Sequence, residues 1–276
     1  MDIEAAVNQH YGVDFLEDRV KATLTENGLD RSDLSWTDLS HLDQFHVGGA
    51  HSSRALADFL GVEPGQTLLD IGSGLGGPAR FLAGERGAVV TGLDLNPAYV
   101  RIATDLSARA GLSGKTRFVE ANALRMPFAD GSFALAWTQH TAMNIADREG
   151  LYREIHRVLK PGGRFAIHDV VLGNGDSLEF PLPWSDVPET SAVISVDDMN
   201  QALQGAGFRE IAFRDVTADA NAFFAAQMVR REAEGAKAPT NLTALIGPQF
   251  APLLANLARH VNDGRLRIIQ TIQQAA

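Results

Sequence analysis

The strongest pattern in the sequence lies at residues 65–77, which read GQTLLDIGSGLGG. The first half is a short apolar run closed by glycine, and such a run predicts a buried β-strand. The second half is a loop with glycines at Gly72, Gly74 and Gly77. The following PARFLAGERG has apolar residues at helical spacing and ends in glycine. The whole segment predicts a strand, a glycine-rich turn and a helix, which is the repeating unit of an α/β protein.

The same strand and helix pattern recurs along the chain. AVVTGLDL at 88–95 predicts a second strand, and the next helix has Asn96 as N-cap, Pro97 in its first turn and Gly111 after its end. KPGG at 160–163 predicts a turn that leads from a helix into the fifth strand. Five further apolar runs predict strands: RFVEANAL, SFALAWTQ, RFAIHDVV, REIAFRDV and RLRIIQTIQQA. We therefore expect a seven-stranded, mostly parallel sheet with helices on both faces.

The remaining segments predict additions to this sheet. We expect an N-terminal helical cap over residues 1–61 and a domain over residues 62–276 that contains all the strands. Within that domain, residues 170–195 form a long loop without a repeat, which is typical of a lid or a substrate wall. Residues 217–263 predict a C-terminal helical insertion, available to cover the site or to form a homodimer.

Composition narrows the class of function. The chain has 276 residues, 45% of them hydrophobic and 21% charged, as in a globular protein. A net charge of −10 disfavours a nucleic-acid partner, because affinity for nucleic acid depends on neutralising phosphates. No apolar window is long enough to span a bilayer and the start lacks a signal-peptide pattern, so we expect a cytoplasmic protein without a membrane partner. The absence of cysteine excludes thiolate chemistry.

The glycine loop admits more than one interpretation. Gly72, Gly74 and Gly77 satisfy GxGxxG, and Asp94 follows where a ribose-binding acid belongs in a dinucleotide site. An NAD(P)-dependent oxidoreductase of the same fold is therefore one alternative, and a tight turn without a ligand is another. Asp70 stands directly before the loop, where its carboxylate would repel a pyrophosphate and attract an ammonium group.

Four segments together carry a family resemblance. They are DIGSGLGG, GLDLN, ANALRMPFADGSFALAW and VLKPGGRFAIHD, and the likeness extends over residues 40–215. The chain resembles the class I S-adenosylmethionine-dependent methyltransferases, in the small-molecule branch with ubiquinone/menaquinone-type C-methyltransferases and sarcosine/dimethylglycine N-methyltransferases. The resemblance implies a Rossmann-like fold and methyl transfer from S-adenosyl-L-methionine to a nitrogen, oxygen or carbon nucleophile by in-line displacement, with S-adenosyl-L-homocysteine as product. A relative that binds this cofactor without methylating stays open as an alternative.

The resemblance also implies roles for individual residues. Asp70 would bind the ammonium group of the cofactor, and Gly72 and Gly74 would let the backbone approach it. Asp94 would accept both ribose hydroxyls, and Asn122 stands where the family usually has an aspartate for the adenine amino group. The other implied cofactor contacts are Leu95 and Met126 on the base, Ala123, Gln139, Gln44 and Gly48.

Two histidines at strand ends are candidates for the general base. His140 follows the fourth strand and is the first choice, because a neutral imidazole can take a proton near pH 7. His168 ends the fifth strand, with a catalytic or a positioning role. The expected substrate contacts are Tyr11, His46, Phe180 and Trp184. No metal site is expected, because His41, His46 and His51 are not spaced to share a helix face.

Overall fold

The computed structural model describes residues 16–175, 177–234 and 250–276. Among the helices of these residues, none is both long and apolar enough to cross a bilayer. The helices in chain order are α1 (Leu16–Glu26), α2 (Trp36–Leu39), α3 (Gly49–Leu60), α4 (Gly77–Glu85), α5 (Pro97–Arg109), α6 (Arg148–Val158), α7 (Val196–Gly205), α8 (Thr217–Glu234) and α9 (Phe250–Asn262).

Seven strands form a single sheet in this part of the chain. They are β1 (Thr67–Ile71), β2 (Val89–Asp94), β3 (Thr116–Glu120), β4 (Phe133–Gln139), β5 (Leu159–Leu172), β6 (Phe208–Asp215) and β7 (Leu266–Ala275). Their order is β3-β2-β1-β4-β5-β7-β6, and β7 runs antiparallel to both of its neighbours while the other pairs are parallel. The predicted seven-stranded, mostly parallel sheet is confirmed.

Two apolar clusters cover the two faces of the sheet. Adjacent residues of a strand point to opposite faces, so Leu69 packs in the cluster that contains α6 and α7, and Leu68 packs with α3 and α4. A third cluster joins α1 to α5 through contacts that include Leu24 and Leu106. The N-terminal helices therefore lie against the sheet domain, although the boundary at residue 61 stays a prediction.

The structure contains the predicted N-cap of α5, but it differs from the prediction at the turn expected before β5. The Asn96 side chain accepts hydrogen bonds from the amides of Ala98 and Tyr99, which confirms the predicted N-cap. The predicted KPGG turn lies inside β5 instead of before it. Leu159 pairs with Phe133 before residues 160–163 leave the ladder as a bulge. Proline has no amide hydrogen for a ladder, so this sequence is accommodated as an interruption within the strand.

The topology places one crevice at the carboxyl ends of β1 and β4. From β1 the chain moves through β2 and β3 to one edge, and β4 returns to the other side of β1. Ligands of open α/β sheets bind where the strand order reverses in this way. The two helices of the predicted insertion, α8 and α9, lie between β6 and β7 in the chain.

Candidate active site

A cavity of about 1610 Å³ opens at the carboxyl ends of the strands. Its walls come from the glycine loop, the ends of β1, β2 and β4, the segment before α3, and helices α8 and α9. All the cofactor contacts expected at this edge, apart from Met126, line it: Gln44, Gly48, Asp70, Gly72, Gly74, Asp94, Leu95, Asn122, Ala123 and Gln139. The fold thus brings residues from five separate segments to one site.

Asp70 is a buried carboxyl group with one oxygen in use. Its Oδ1 accepts a hydrogen bond of 2.8 Å from Trp137 Nε1, on the neighbouring strand β4. Its Oδ2 is buried and has no hydrogen-bond partner among the described residues. Burial raises the pKa of Asp70 to about 7, and the nearby carboxylate of Asp94 adds to the rise. The site therefore contains an acidic group that a cationic ligand would stabilise in its charged form.

At three positions of the glycine loop, Gly72, Gly76 and Gly77, a Cβ would come closer than 3.0 Å to a neighbouring residue. Gly72 has a φ of +74°, and a Cβ there would meet the side chain of Thr141. A Cβ on Gly77, the third glycine of the motif, would meet Asp43 in the segment before α3. Glycine at Gly72 and Gly77 keeps the loop in contact with the turn after β4 and with the segment before α3.

Asp94 ties the glycine loop to the end of β2. Its Oδ2 accepts a hydrogen bond of 2.7 Å from the Gly74 amide, and its Oδ1 accepts one of 3.0 Å from the Asn96 amide. Burial raises the pKa of Asp94, while these backbone donors oppose the rise. A carboxylate offers about four lone-pair sites, so the two that are used leave room for ligand hydroxyls.

The side chains around the expected adenine position differ in their placement. Asn122 lines the cavity, and its Oδ1 accepts a hydrogen bond of 2.7 Å from the Leu124 amide. Leu95 and Leu124 also line the cavity. Met126 belongs to the core cluster below and is not among the lining residues. The expected pairing of Leu95 with Met126 around a base therefore does not match the positions of these two residues.

A hydrogen-bonded cluster connects the segment before α3 to the end of β4. Ser53 Oγ donates to Gln44 Oε1 at 3.0 Å, and Gln139 Nε2 donates to Ser53 Oγ at 3.3 Å. Gln44 Nε2 in turn donates to Asp43 Oδ1 at 3.3 Å. Ser53 was not predicted from the sequence. The feature that could have predicted a role for Ser53 is its position on the inner face of α3, where the other buried residues are apolar.

The sequence also did not predict the ion pair that lies behind this cluster. Arg80 Nη2 and Asp43 Oδ2 are 2.6 Å apart, and both side chains are almost fully buried. Arg80 donates further hydrogen bonds to the Leu75 carbonyl at 2.7 Å and to Ser107 Oγ at 3.1 Å. The available signal is an arginine on the otherwise apolar face of PARFLAG. The pair joins the glycine loop, α5 and the segment that carries Gln44.

Three imidazoles meet at the junction of these elements. The ring centroids of His46, His140 and His168 are 5.0 to 6.4 Å apart. Burial lowers the pKa of His46 to about 3 and that of His168 to about 4, and it holds the pKa of His140 well below its usual range. All three rings are therefore neutral at pH 7. Within the described ranges, no group of three or more residues could hold a metal ion.

The two candidate bases occupy different places. His140 lines the cavity, has a left-handed backbone with φ of +50°, and its Nε2 is buried without a hydrogen-bond partner in the described part of the chain. His168 is buried behind it and is not a lining residue. Its Nε2 lies 3.1 Å from the Val47 carbonyl, to which the neutral ring donates, and its backbone carbonyl accepts from the His140 amide at 2.8 Å. The hydrogen bond from the His140 amide to the His168 carbonyl therefore helps to fix the position of His140 at the cavity.

Some of the predicted substrate contacts line the cavity and others do not. His46 and Trp184 line the cavity, and Phe180 packs in the cluster beneath the loop without lining it. Tyr11 lies outside the described residues. An apolar wall, defined here as Met143, Trp184, Phe224, Phe250 and Leu257, faces the cavity. Helices α8 and α9 of the predicted insertion therefore contribute to the walls of the cavity, and their role in a homodimer stays a prediction.

The loop after β5 is fastened to the insertion. Glu179 pairs with Arg259 at 2.7 Å and with Arg265 at 2.8 Å, and its amide donates to His260 Nε2 at 2.8 Å. His260 Nδ1 in turn donates to the Asn256 carbonyl at 2.7 Å. The predicted lid-like segment and α9 therefore form one hydrogen-bonded wall.

Comparison with known proteins agrees with this geometry. Residues 69–167 match the family model of a methyltransferase domain. A sterol 24-C-methyltransferase of Gibberella zeae is 32% identical over 201 residues, which cover 68% of this chain and 53% of that protein. The chain thus spans about half the length of the curated relatives it matches.

Solved structures show the same fold at lower identity. Phosphoethanolamine N-methyltransferase 2 of Haemonchus contortus, in complex with S-adenosyl-L-methionine, has a TM-score of 0.73 at 21% identity and covers 90% of this chain and 59% of that chain. The cyclase SpnF has a TM-score of 0.66 at 21% identity and covers 94% of this chain and 93% of that chain. The chain therefore contains a methyltransferase domain on the class I fold, which confirms its resemblance to the S-adenosylmethionine-dependent methyltransferases.

Proposed function

We propose that this protein transfers a methyl group from S-adenosyl-L-methionine to a small-molecule acceptor and releases S-adenosyl-L-homocysteine. The observation that carries the proposal is the arrangement of Asp70 and Asp94 around a glycine loop. Asp70 has a buried carboxyl oxygen without a partner, and Asp94 keeps free lone pairs beside the backbone of the loop. The first suits an ammonium group and the second suits a pair of ribose hydroxyls.

The residues present fit this cofactor. Asp70 would hold its amino group, Asp94 its ribose, and the Asn122 segment its adenine, with Gln44 and Gln139 beside the methionine end. When bound, S-adenosyl-L-methionine supplies an electrophilic methyl group. The ion pair of Arg80 with Asp43 would keep the segment that carries Gln44 in place over the loop.

His140 is the proposed contact for the reacting group of the acceptor. It lines the cavity, and it is neutral at pH 7 because burial lowers its pKa. A neutral imidazole can accept a hydrogen bond from an acceptor and take its proton. His168 would act as a positioning residue, because its carbonyl holds the His140 amide and its ring packs 5.0 Å from the His140 ring. Holding the acceptor in line with the methyl group could lower the activation barrier of the transfer by up to roughly 7–11 kcal/mol.

Calorimetric titration tests the cofactor part of the proposal. S-adenosyl-L-homocysteine is expected to bind to the purified protein, and NAD is expected not to bind, because Asp70 would repel a pyrophosphate. Binding of NAD in place of S-adenosyl-L-homocysteine would support the oxidoreductase alternative. Incubation with methyl-labelled S-adenosyl-L-methionine and a panel of phenols, amines, acids and quinone precursors then tests the transfer itself.

A second candidate function is a reaction that uses the cofactor site without methyl transfer. The specific observation is the likeness to the cyclase SpnF, which extends over nearly the whole of both chains. This candidate predicts cofactor binding without formation of labelled product or S-adenosyl-L-homocysteine with any acceptor. The cytoplasmic location, the homodimer and the exclusion of nucleic acid stay predictions from the sequence.

A further inference from the structure

We propose that the acceptor is an uncharged, largely apolar molecule whose hydroxyl group binds to the imidazole of His140, so that the methyl group is transferred to oxygen. This inference rests on the proposed methyl transfer and names the acceptor class for the same site. Three features of the cavity carry it: the apolar wall, the position of the charged side chains, and the partly exposed imidazole of His140.

The apolar wall is large and comes from elements outside the cofactor-binding strands. Its five residues belong to the turn after β4, the loop after β5, and helices α8 and α9. Each of them is nine-tenths or more buried, although each also lines the cavity. A surface of aromatic and aliphatic side chains gains free energy by covering apolar area of a ligand, at roughly 25 cal/mol per Å². The wall therefore selects a ligand with an extended apolar body.

Charged groups are poorly placed to bind a charged acceptor. In the described lining, the buried carboxyl groups are Asp43, which pairs with Arg80, and Asp70; the partly exposed carboxyl group of Asp94 lies with Asp70 at the cofactor end. The other charged lining residues are exposed at the rim: Asp147, Arg230, Glu232 and Arg259. An ammonium, carboxylate or phosphate group beside the apolar wall would lose its hydration without gaining a partner, which is costly. An uncharged reacting group avoids this cost.

His140 distinguishes a hydroxyl group from an apolar carbon nucleophile. His140 is partly exposed and lines the cavity, and the unprotonated nitrogen of its neutral ring can accept a hydrogen bond from a hydroxyl group. The left-handed backbone at His140 is a sparsely populated conformation for a residue other than glycine, and such strain concentrates at functional sites. In the transfer, the acceptor oxygen forms the new bond to the methyl carbon, the carbon–sulfur electron pair goes to sulfur, and the hydroxyl proton passes to the His140 imidazole.

The test measures binding, separately from turnover. Four pyrene derivatives that share one ring system are titrated by fluorescence in the presence of saturating S-adenosyl-L-homocysteine: 1-hydroxypyrene, 1-methoxypyrene, 1-pyrenemethylamine and 1-pyrenesulfonate. We expect 1-hydroxypyrene to bind most tightly, roughly three- to tenfold more tightly than 1-methoxypyrene, the range of one hydrogen bond. The cationic and anionic derivatives are expected to bind more weakly than both.

A matched pair of variants tests whether His140 causes the preference for 1-hydroxypyrene over 1-methoxypyrene. His140→Asn removes the imidazole but keeps a residue that tolerates the left-handed backbone. This variant should bind 1-hydroxypyrene and 1-methoxypyrene equally in the presence of saturating S-adenosyl-L-homocysteine. The control His51→Asn alters an exposed histidine on α3 that does not line the cavity and should behave as the wild type.

The outcomes separate the two proposals. Preference for the amine or the sulfonate, no binding of either uncharged pyrene, or hydroxyl preference that survives in His140→Asn would overturn the acceptor class while leaving the cofactor assignment intact. Failure of S-adenosyl-L-homocysteine to bind to the wild type would overturn the proposed function itself. Melting curves of both variants show whether they are folded.

Discussion

The two halves of the cavity are built on different principles. The cofactor half consists of Asp70, the glycine loop and Asp94 at the ends of adjacent parallel strands, and most of its contacts are made by carboxyl and backbone groups. The acceptor half is the apolar wall, which comes from the turn after β4, the loop after β5 and helices α8 and α9. The Asp43–Arg80 pair and the imidazoles lie between the two.

This difference shows how one fold can keep a reaction while changing its substrate. Parallel strands in register bring short polar motifs to a common edge, so the cofactor half depends on a few residues near strand ends. The acceptor half depends on the packing of elements that are far apart in the chain, and many apolar sequences can make such a wall. Substitutions should therefore affect the two halves independently, except at the junction between them.

The largest effect is expected at the junction. Asp43→Ala leaves the buried guanidinium of Arg80 without its carboxylate, which should reduce the free energy of unfolding by about 3–5 kcal/mol. Urea denaturation measures this value. Glu17→Ala, which breaks the exposed pair with Arg101, should change it by less than about 1 kcal/mol. Equal effects of the two substitutions would mean that the buried pair does not hold the halves together.

The cofactor half should respond most strongly at Asp94. Asp94→Ala removes the proposed ribose acceptor and the anchor of the Gly74 amide, at a cost of about 2–3 kcal/mol in binding, or roughly 100-fold in affinity. Calorimetry with S-adenosyl-L-homocysteine measures the change. Asp197→Ala, an exposed aspartate in the first turn of α7, is the control and should bind as the wild type. An unchanged affinity in Asp94→Ala would remove the cofactor assignment.

A pH dependence should also belong to the cofactor half. The pKa of Asp70 is raised to about 7 by burial, so below that pH the group is protonated and neutral, and above it the carboxylate can attract an ammonium group. Affinity for S-adenosyl-L-homocysteine should therefore rise roughly tenfold between pH 6 and pH 8, as one group titrates. Calorimetry at both pH values measures this rise. The profile should be flat in Asp70→Asn, and a rise that persists there would assign the titration to another group.

The smallest effect should be confined to the acceptor half. Phe224→Leu reduces the aromatic surface of the apolar wall, so the affinity for 1-methoxypyrene should fall about two- to fivefold, as expected for a small loss of apolar contact. The affinity for S-adenosyl-L-homocysteine should not change. Phe213→Leu on the outer strand β6 is the matched control, because Phe213 is partly exposed and does not line the cavity. Loss of cofactor affinity in Phe224→Leu would show that the two halves are coupled.

The predictions that depend on local patterns agree best with the structure. The strand, glycine loop and helix at residues 65–87, the N-cap at Asn96 and the succession of strands along the chain all follow from neighbouring residues. The KPGG turn was placed wrongly because register across β4 and β5, which draws Leu159 into the strand, is not visible within the segment. Phe180 and Met126 were expected in the site and pack elsewhere, because apolar residues give no sign of which cavity or core they enter.

The sequence determined the α/β fold and the polar residues at the strand ends, because periodicity, glycines and helix caps act over short distances. The tertiary structure decided which side chains share a cavity. It joined Asp43 to Arg80 across 37 positions and Ser53 to Gln139 across 86. It also placed His140 in the cavity with His168 behind it and laid α8 and α9 over the site. These arrangements depend on packing between distant segments, and packing is a property of the folded chain.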